Sequence, residues 1–181
     1  MDVEFEVNGG VYPVVWVEAD EVVFGLASSS LSRGFTVTNA VDSEGGMGML
    51  VTGSGCWVKG NDITENPAGL IIIGAGTAVQ YNQIHDNDGD WAIFVGSSNN
   101  NILYNEIYNN SSGIMLMTDP EEGFVANNNR IAGNDIYKNG WCGVYGYNAD
   151  NTVIEWNDIH DDQSYAIYLE QGCTGTQILF N

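Results

Sequence analysis

Two rows of side chains recur along the chain at nearly constant spacing and combine groups that bind sugars. The first is a row of carboxylates and one amide, each directly after an asparagine: Asp62, Gln83, Glu106, Asp135 and Asp158. The second, two residues later, is a row of flat polar rings: His85, Tyr108, Tyr137 and His160. Because rings stack on the apolar faces of sugars and carboxylates accept hydrogen bonds from hydroxyls, the two rows predict a carbohydrate-binding face. The alternative is that aromatic residues simply suit strands while carboxylates keep the outside solvated.

The acidic row also offers candidate catalytic residues. Glycoside hydrolases hold two carboxylates about 5–5.5 Å or about 6.5–9.5 Å apart. Glu106, Asp135 and Asp158, on consecutive strands about 4.8 Å apart, would meet such spacings, although any ladder generates them. Whether the chain is an enzyme stays open. A hydrolase is favoured over a lyase because the four basic residues are scattered along the chain, whereas a lyase needs a base beside its substrate.

The candidate metal ligands lie in an acidic insertion, "MTDPEEGFVANNN" (117–129). Its carboxylates, Asp119, Glu121 and Glu122, predict a calcium site, since calcium takes several oxygen ligands. The alternative is an acidic loop facing solvent. His85 and His160 lie three strands apart, roughly 14 Å, so they cannot share a metal, which argues against a two-histidine copper site.

Charge and composition exclude several classes of partner. Four Lys and Arg face 24 Asp and Glu, a net charge of −20. Nucleic acid and anionic membrane surfaces are excluded as partners, and a polyanionic sugar would need bridging calcium. Three cysteines without a C-x-x-C pair make a zinc site improbable. No apolar run is long enough to span a bilayer. The acidic excess suits a salty or extracellular setting, so we expect an extracellular, cell-surface or periplasmic module, with the signal peptide not in this chain.

The elements that position these rows repeat with a period in the low twenties. The phrases "GNDITEN", "YNQIHDN", "YNEIYNN", "GNDIYKN" and "WNDIHDD" share the pattern Asn-x-Ile. Their first asparagines, with Asn39 before them and Asn181 after them at similar spacing, form the series Asn39, Asn61, Asn82, Asn105, Asn134, Asn157 and Asn181. Such a period indicates a solenoid, and short Ile- and Val-rich segments divided by Gly, Asn and Ser indicate three short strands per coil. Because asparagine tolerates left-handed bends and its amide donates and accepts, we expect structural Asn ladders along the corners.

The predicted fold is therefore all-β: a single parallel β-helix domain of about seven coils over 1–181. Residues 1–20 are a candidate cap, and the chain is expected to be part of a longer protein. The rhythm I-x-x-N-x-I-x-x-N followed by G-I-x-L, over about 20–181, resembles the right-handed parallel β-helix repeats of carbohydrate-binding and sugar-hydrolysing proteins, most of all the NosD-like branch. "TDP" (118–120) resembles an epimerase Asp-Pro-His motif, but Glu121 replaces the histidine, so no epimerase activity is implied.

A third row is apolar and predicted to face outwards: Leu50, Ile71, Phe94, Met115, Tyr145 and Tyr168. Such a stripe should not face water, so we expect it to be covered, first of all by another copy of the chain in a homo-oligomer. The leading functional hypothesis is an extracellular carbohydrate-associated module that binds or processes a polysaccharide. The alternative is a non-catalytic structural or adhesive module of a surface protein or filament. The resemblance also implies metallocentre assembly, for which the sequence offers no recognised copper ligand set.

Overall fold

The computed structural model describes residues 16–17, 23–24, 35–40 and 46–181, and their regular structure is entirely β-strand. In each coil the chain passes through three parallel sheets, here called A, B and C in that order. No helix in these ranges is long and apolar enough to cross a membrane. The candidate cap, 1–20, falls almost entirely outside the described residues.

Twenty strands in the described ranges build the three sheets. Sheet A contains β1 (Trp16–Val17), β4 (Met47–Val51), β7 (Ala68–Ile72), β10 (Trp91–Val95), β13 (Ser112–Met117), β16 (Cys142–Tyr147) and β19 (Tyr165–Leu169). Sheet B contains β2 (Val23–Phe24), β5 (Trp57–Lys59), β8 (Ala78–Gln80), β11 (Asn101–Leu103), β14 (Arg130–Ala132), β17 (Val153–Glu155) and β20 (Gln177–Leu179). Sheet C contains β3 (Thr36–Val37), β6 (Asp62–Thr64), β9 (Gln83–His85), β12 (Glu106–Tyr108), β15 (Asp135–Tyr137) and β18 (Asp158–His160).

Each strand pairs in parallel with the strand at the same place in the next coil. Ile84 lies opposite Ile107, which lies opposite Ile136, and all three side chains are fully buried. Burying one such side chain stabilises the fold by about 1.5–3 kcal/mol, and the central coils repeat it in each sheet. The predicted parallel β-helix is therefore confirmed.

Asparagine ladders run along the corners between the sheets. The B–C corner holds Asn61, Asn82, Asn105, Asn134, Asn157 and Asn181, and the C–A corner holds Asn66, Asn87, Asn110, Asn139 and Asp162. In one rung, the backbone N–H and Nδ2 of Asn82 donate to Asn105 Oδ1 at 3.0 and 2.9 Å. Nδ2 also donates to the carbonyl of Val58 in the preceding coil at 3.0 Å. The ladder residues thus pair the polar backbone groups that the bends expose.

The residue before each ladder position has a left-handed backbone. At the B–C corner these residues are Gly60, Tyr81, Tyr104, Gly133, Trp156 and Phe180, with φ between 56° and 72°. Left-handed geometry is strained for a side chain with a Cβ, and the hydrogen-bonded ladder behind it holds the bend in place.

The prediction that Asn39 is the first member of the ladder was wrong. Val37 pairs with Ile63, which aligns Asn39 with the bend residue Glu65, and both have a left-handed φ. The place beside the ladder belongs to Phe35, whose backbone N–H donates to Asn61 Oδ1 at 3.2 Å. Asn39 matched the sequence spacing because bend and ladder positions both accept asparagine.

The strand register aligns the residues of the apolar stripe as predicted, but Leu50 and Tyr145 are buried rather than exposed. Leu50, Ile71, Phe94, Met115, Tyr145 and Tyr168 pair one after another across sheet A. The acidic insertion folds back on the stripe, because the Phe124 ring lies 5.1 Å from the Phe94 ring. Part of the stripe is therefore covered by the chain itself, and the homo-oligomer stays a prediction.

Candidate functional site

The outer face of sheet C brings the two predicted rows together. Its three-residue strands turn the central isoleucine inwards, so the first and third residues of each strand face out. Strand pairing aligns Glu106 with Asp135 and Asp158, and Tyr108 with Tyr137 and His160. The acidic row and the ring row are thus two parallel lines that run along the helix axis.

The rings of the second row stack on one another in a column. Ring centroids lie 4.7 Å apart between His85 and Tyr108, and 5.1 Å apart from Tyr108 to Tyr137 and from Tyr137 to His160. Interplanar angles are 7° or less, so both faces of Tyr108 and Tyr137 are covered by neighbouring rings. A sugar at this column would meet ring edges rather than ring faces.

Glu106, in the middle of the acidic row, is hydrogen-bonded within the protein. Glu106 accepts hydrogen bonds from Gln83 Nε2 at 2.9 Å and from the Tyr137 hydroxyl at 2.8 Å. Burial, and then the hydrogen bond to Glu106, raises the pKa of Tyr137 to about 12. Both carboxylate oxygens of Glu106 therefore have a partner, and the catalytic role predicted for Glu106, Asp135 and Asp158 stays a prediction.

His85, at one end of the ring column, has both nitrogens engaged. Nε2 lies 2.9 Å from Asp62 Oδ1 in the preceding coil, and Nδ1 lies 2.7 Å from Asp86 Oδ2. The side chain is only 18% exposed. The carboxylates on either side thus fix this imidazole as a structural group.

His160, at the other end, belongs to a cluster that suits a metal ion. Its ligand atoms and those of Asp135 and Asp158 lie within 4.8 Å of one another, and all three residues are exposed. Nδ1 lies 3.2 Å from Asp161 Oδ2, and Nε2 lies 3.5 Å from Asp135 Oδ1. If Asp161 holds the proton on Nδ1, then Nε2 is left as a ligand atom directed at the cluster, an arrangement common in metal-binding histidines. The bond to Asp161, followed by the charges of Asp158 and Asp135, raises the pKa of His160.

The dimensions of this cluster fit a first-row divalent metal. Two ligand atoms that are each about 2.1 Å from an ion lie at most about 4.2 Å apart, so the 4.8 Å group must contract by a few tenths of an ångström. Exposed side chains make that adjustment by rotating. One imidazole and two carboxylates suit Cu(II), which takes nitrogen and oxygen ligands and heads the affinity order of divalent metals.

The cluster forms at this end of sheet C because the strands nearer β9 lack one of its groups. At the His85 rung the position of Asp158 is occupied by Gln83, whose amide is bonded to Glu106. The two rungs between carry tyrosines in place of histidine. Sequence reasoning named Asp135, Asp158 and His160 separately, as acids and as a sugar-binding ring, and missed Asp161, whose place after the histidine was the available signal.

The acidic insertion does not bring its carboxylates together. Asp119 Oδ1 accepts a hydrogen bond from the backbone N–H of Glu121 at 3.0 Å, which closes a local turn. Across 46–181 and the shorter described ranges, the group formed by Asp135, Asp158 and His160 is the one with three convergent ligand atoms. The calcium site at Asp119, Glu121 and Glu122 stays a prediction without a formed ligand set.

A family model described as "Periplasmic copper-binding protein (NosD)" matches residues 27–181, which includes every strand of the described coils from β3 onwards. No curated protein and no solved structure shows a significant match to the chain.

Proposed function

Because the chain belongs to the NosD family of periplasmic copper-binding proteins, we propose that it is a periplasmic β-helix protein that binds Cu(II) at Asp135, Asp158 and His160. The convergence of two carboxylates and one imidazole on the outer face of sheet C carries the proposal. The ion supplies positive charge that offsets the acidic row, and Asp161 holds the imidazole in place.

The chain contains its own control for this site. His85 and His160 occupy the same place in the repeat, and each has a carboxylate from the preceding coil and another from the following residue. They differ in the third carboxylate, which Asp158 provides and Gln83 does not. A metal bound by histidine alone, or by general acidity, would not distinguish the two rungs.

Copper titration of the metal-free protein, by calorimetry with a competing chelator, tests the proposal. We expect one Cu(II) site, bound more tightly than Zn(II). His160→Ala and Asp158→Asn should each weaken it by about 10–100-fold or more, and His85→Ala should leave it unchanged. Electron paramagnetic resonance should show coupling to one imidazole nitrogen, which His160→Ala removes. Equal losses from His85→Ala and His160→Ala would refute the assignment.

The second candidate is the carbohydrate association predicted from the two rows. It is supported by the line of carboxylates and ring edges that sheet C exposes, and the net charge of −20 favours a neutral polysaccharide. Retention on immobilised neutral polysaccharides tests it: substituting Tyr108 and Tyr137 with alanine should abolish retention. Shortening of the glycan would point to catalysis by Glu106, Asp135 or Asp158. Absence of binding in both the copper and the glycan assays would favour the structural or adhesive module.

A further inference from the structure

Five aromatic side chains gather on sheet A, away from the metal cluster on sheet C. This aromatic patch consists of Trp91, Trp141, Tyr145, Tyr165 and Tyr168. Tyr145 and Tyr168 belong to the apolar stripe, while Trp91 and Tyr165 begin their strands and Trp141 directly precedes β16. The backbone carbonyl of Trp141 accepts from Ser164 at 2.9 Å, which ties this residue to the next coil.

The patch differs from the ring column in how its rings meet. Tyr145 is buried at its base and stacks on Trp91 at 5.7 Å and 9°. The Trp141 ring is inclined by 63° to Trp91, by 56° to Tyr145 and by 87° to Tyr168. No described ring lies parallel to Trp141, whereas Tyr108 in the column has a parallel ring on each face. The patch therefore leaves an indole without a stacked partner.

The polar atoms at the rim of the patch are also unpaired. Within the described ranges, neither indole N–H of Trp91 and Trp141 has a hydrogen-bond partner, and neither has the hydroxyl of Tyr165 or Tyr168. The buried unpaired side-chain N and O atoms in those ranges are Thr152 Oγ1 and Asp162 Oδ2, so both indole N–H groups remain open to solvent. The Tyr145 hydroxyl, by contrast, donates to Glu170.

An indole without a stacked partner, surrounded by unpaired hydrogen-bond donors, indicates the chemistry of the ligand. An apolar partner would bury these donors without acceptors, at a cost of about 1–3 kcal/mol for each. A sugar offers an apolar face to an indole and hydroxyl oxygens to the donors around it. An anionic sugar is disfavoured by Glu170 beside the patch and by the net charge of −20.

We propose that the aromatic patch on sheet A binds a neutral saccharide, with Trp141 as the stacking platform and Trp91, Tyr165 and Tyr168 as hydrogen-bond donors. The site is independent of the Cu(II) cluster. It rests on the carbohydrate candidate above for the class of its ligand, but it places that ligand on sheet A rather than on the ring column of sheet C.

Affinity electrophoresis of the full chain through gels with soluble mixed-linkage β-glucan, mannan or polygalacturonate tests the proposal. At least one neutral polymer should retard the protein, and polygalacturonate should not. Trp141→Ala should weaken the retarding interaction about tenfold. Trp156→Ala is the matched control, because Trp156 is a 61% exposed tryptophan at the B–C corner, outside the patch.

Two further sets of variants separate this proposal from its alternatives. Tyr165→Phe and Tyr168→Phe remove single donors without changing ring volume, so a loss of affinity in either cannot be ascribed to misfolding of Trp141→Ala. Loss of binding in Tyr108→Ala with none in Trp141→Ala would overturn the proposal and assign the sugar to the ring column. Absence of binding by the wild-type chain to either neutral polymer would overturn it as well.

Discussion

Asp162 is the acidic member of the C–A ladder, and replacing it with asparagine should stabilise the protein. Its Oδ1 accepts from the backbone N–H and the Nδ2 of Asn139 at 2.8 and 3.0 Å, as a ladder asparagine would. Its Oδ2 is buried and has no partner. In the preceding coils that place holds an Nδ2, and the Nδ2 of Asn110 donates to the carbonyls of Ile84 and Tyr108, both at 3.0 Å.

The size of the effect follows from that mismatch. By equivalence with Asn110, an Nδ2 at the Asp162 position would donate to the carbonyls of Ile136 and His160, whereas a carboxylate oxygen can only accept. An unpaired buried polar atom costs about 1–3 kcal/mol, and a regained hydrogen bond contributes about 0.5–1.5 kcal/mol. We expect Asp162→Asn to raise the free energy of unfolding by about 1–3 kcal/mol at neutral pH.

The gain should depend on pH with a definite sign. Burial raises the pKa of Asp162, and the hydrogen bonds from Asn139 oppose that shift. The folded state favours the protonated form of Asp162. Its contribution to the stability of the fold is therefore complete below the unfolded pKa of about 3.9 and is lost as pH rises through the folded pKa. The advantage of Asp162→Asn should therefore be small in acid and grow towards neutral pH.

Denaturant unfolding at several pH values, with a chelator present, measures this difference. Asn139→Asp makes the reverse change one coil earlier, so it should destabilise the protein at neutral pH. Like Asp162 in the wild type, the new carboxyl should make the protein less stable as pH rises. An unchanged or lowered stability of Asp162→Asn at neutral pH would refute the argument that the unpaired oxygen weakens the ladder.

Three further predictions follow from the same structure. Asn105→Ala should lower the free energy of unfolding by about 2–4 kcal/mol, because Asn105 is buried and hydrogen-bonds to both neighbouring coils. Thermal and denaturant unfolding should give the same loss. Burial raises the pKa of Cys142 to about 12. This thiol should therefore resist a thiol reagent at mildly alkaline pH until denaturant is added. Rapid labelling of Cys142 in the native protein would contradict its burial. Tyr137, with a pKa of about 12, should ionise above the usual value of about 10 in an ultraviolet titration, and Glu106→Gln should lower its pKa by removing the charged acceptor.

The fold could be predicted because the sequence states it several times. Each coil repeats Asn-x-Ile, so the inward isoleucines, the ladders and the register of the apolar stripe followed from spacing alone. The spacing failed at Asn39, where asparagine suits both the bend and the ladder. A repeat therefore specifies its central coils better than its first one.

The site was less predictable because it depends on side-chain rotation rather than on period. The spacing aligned the rings, but it did not show that they stack on one another and cover the faces of Tyr108 and Tyr137. Nor did it show that the amide of Gln83 bonds to Glu106 while Asp158 remains free to join His160. The patch around Trp141 joins residues from coils that the sequence separates, so no local pattern marked it.

The bonds between ladder asparagines also have a direction along the chain. Asn82 receives no bond from Asn105: its own N–H and Nδ2 donate forwards to Asn105 Oδ1, which belongs to the following coil. Each coil thus has its corners completed by a residue made later. If the coils form in chain order, the last coil formed carries unpaired amides until the next asparagine packs against it. Folding in that order would advance one coil at a time, because each asparagine supplies the acceptor for the amides of the coil before it.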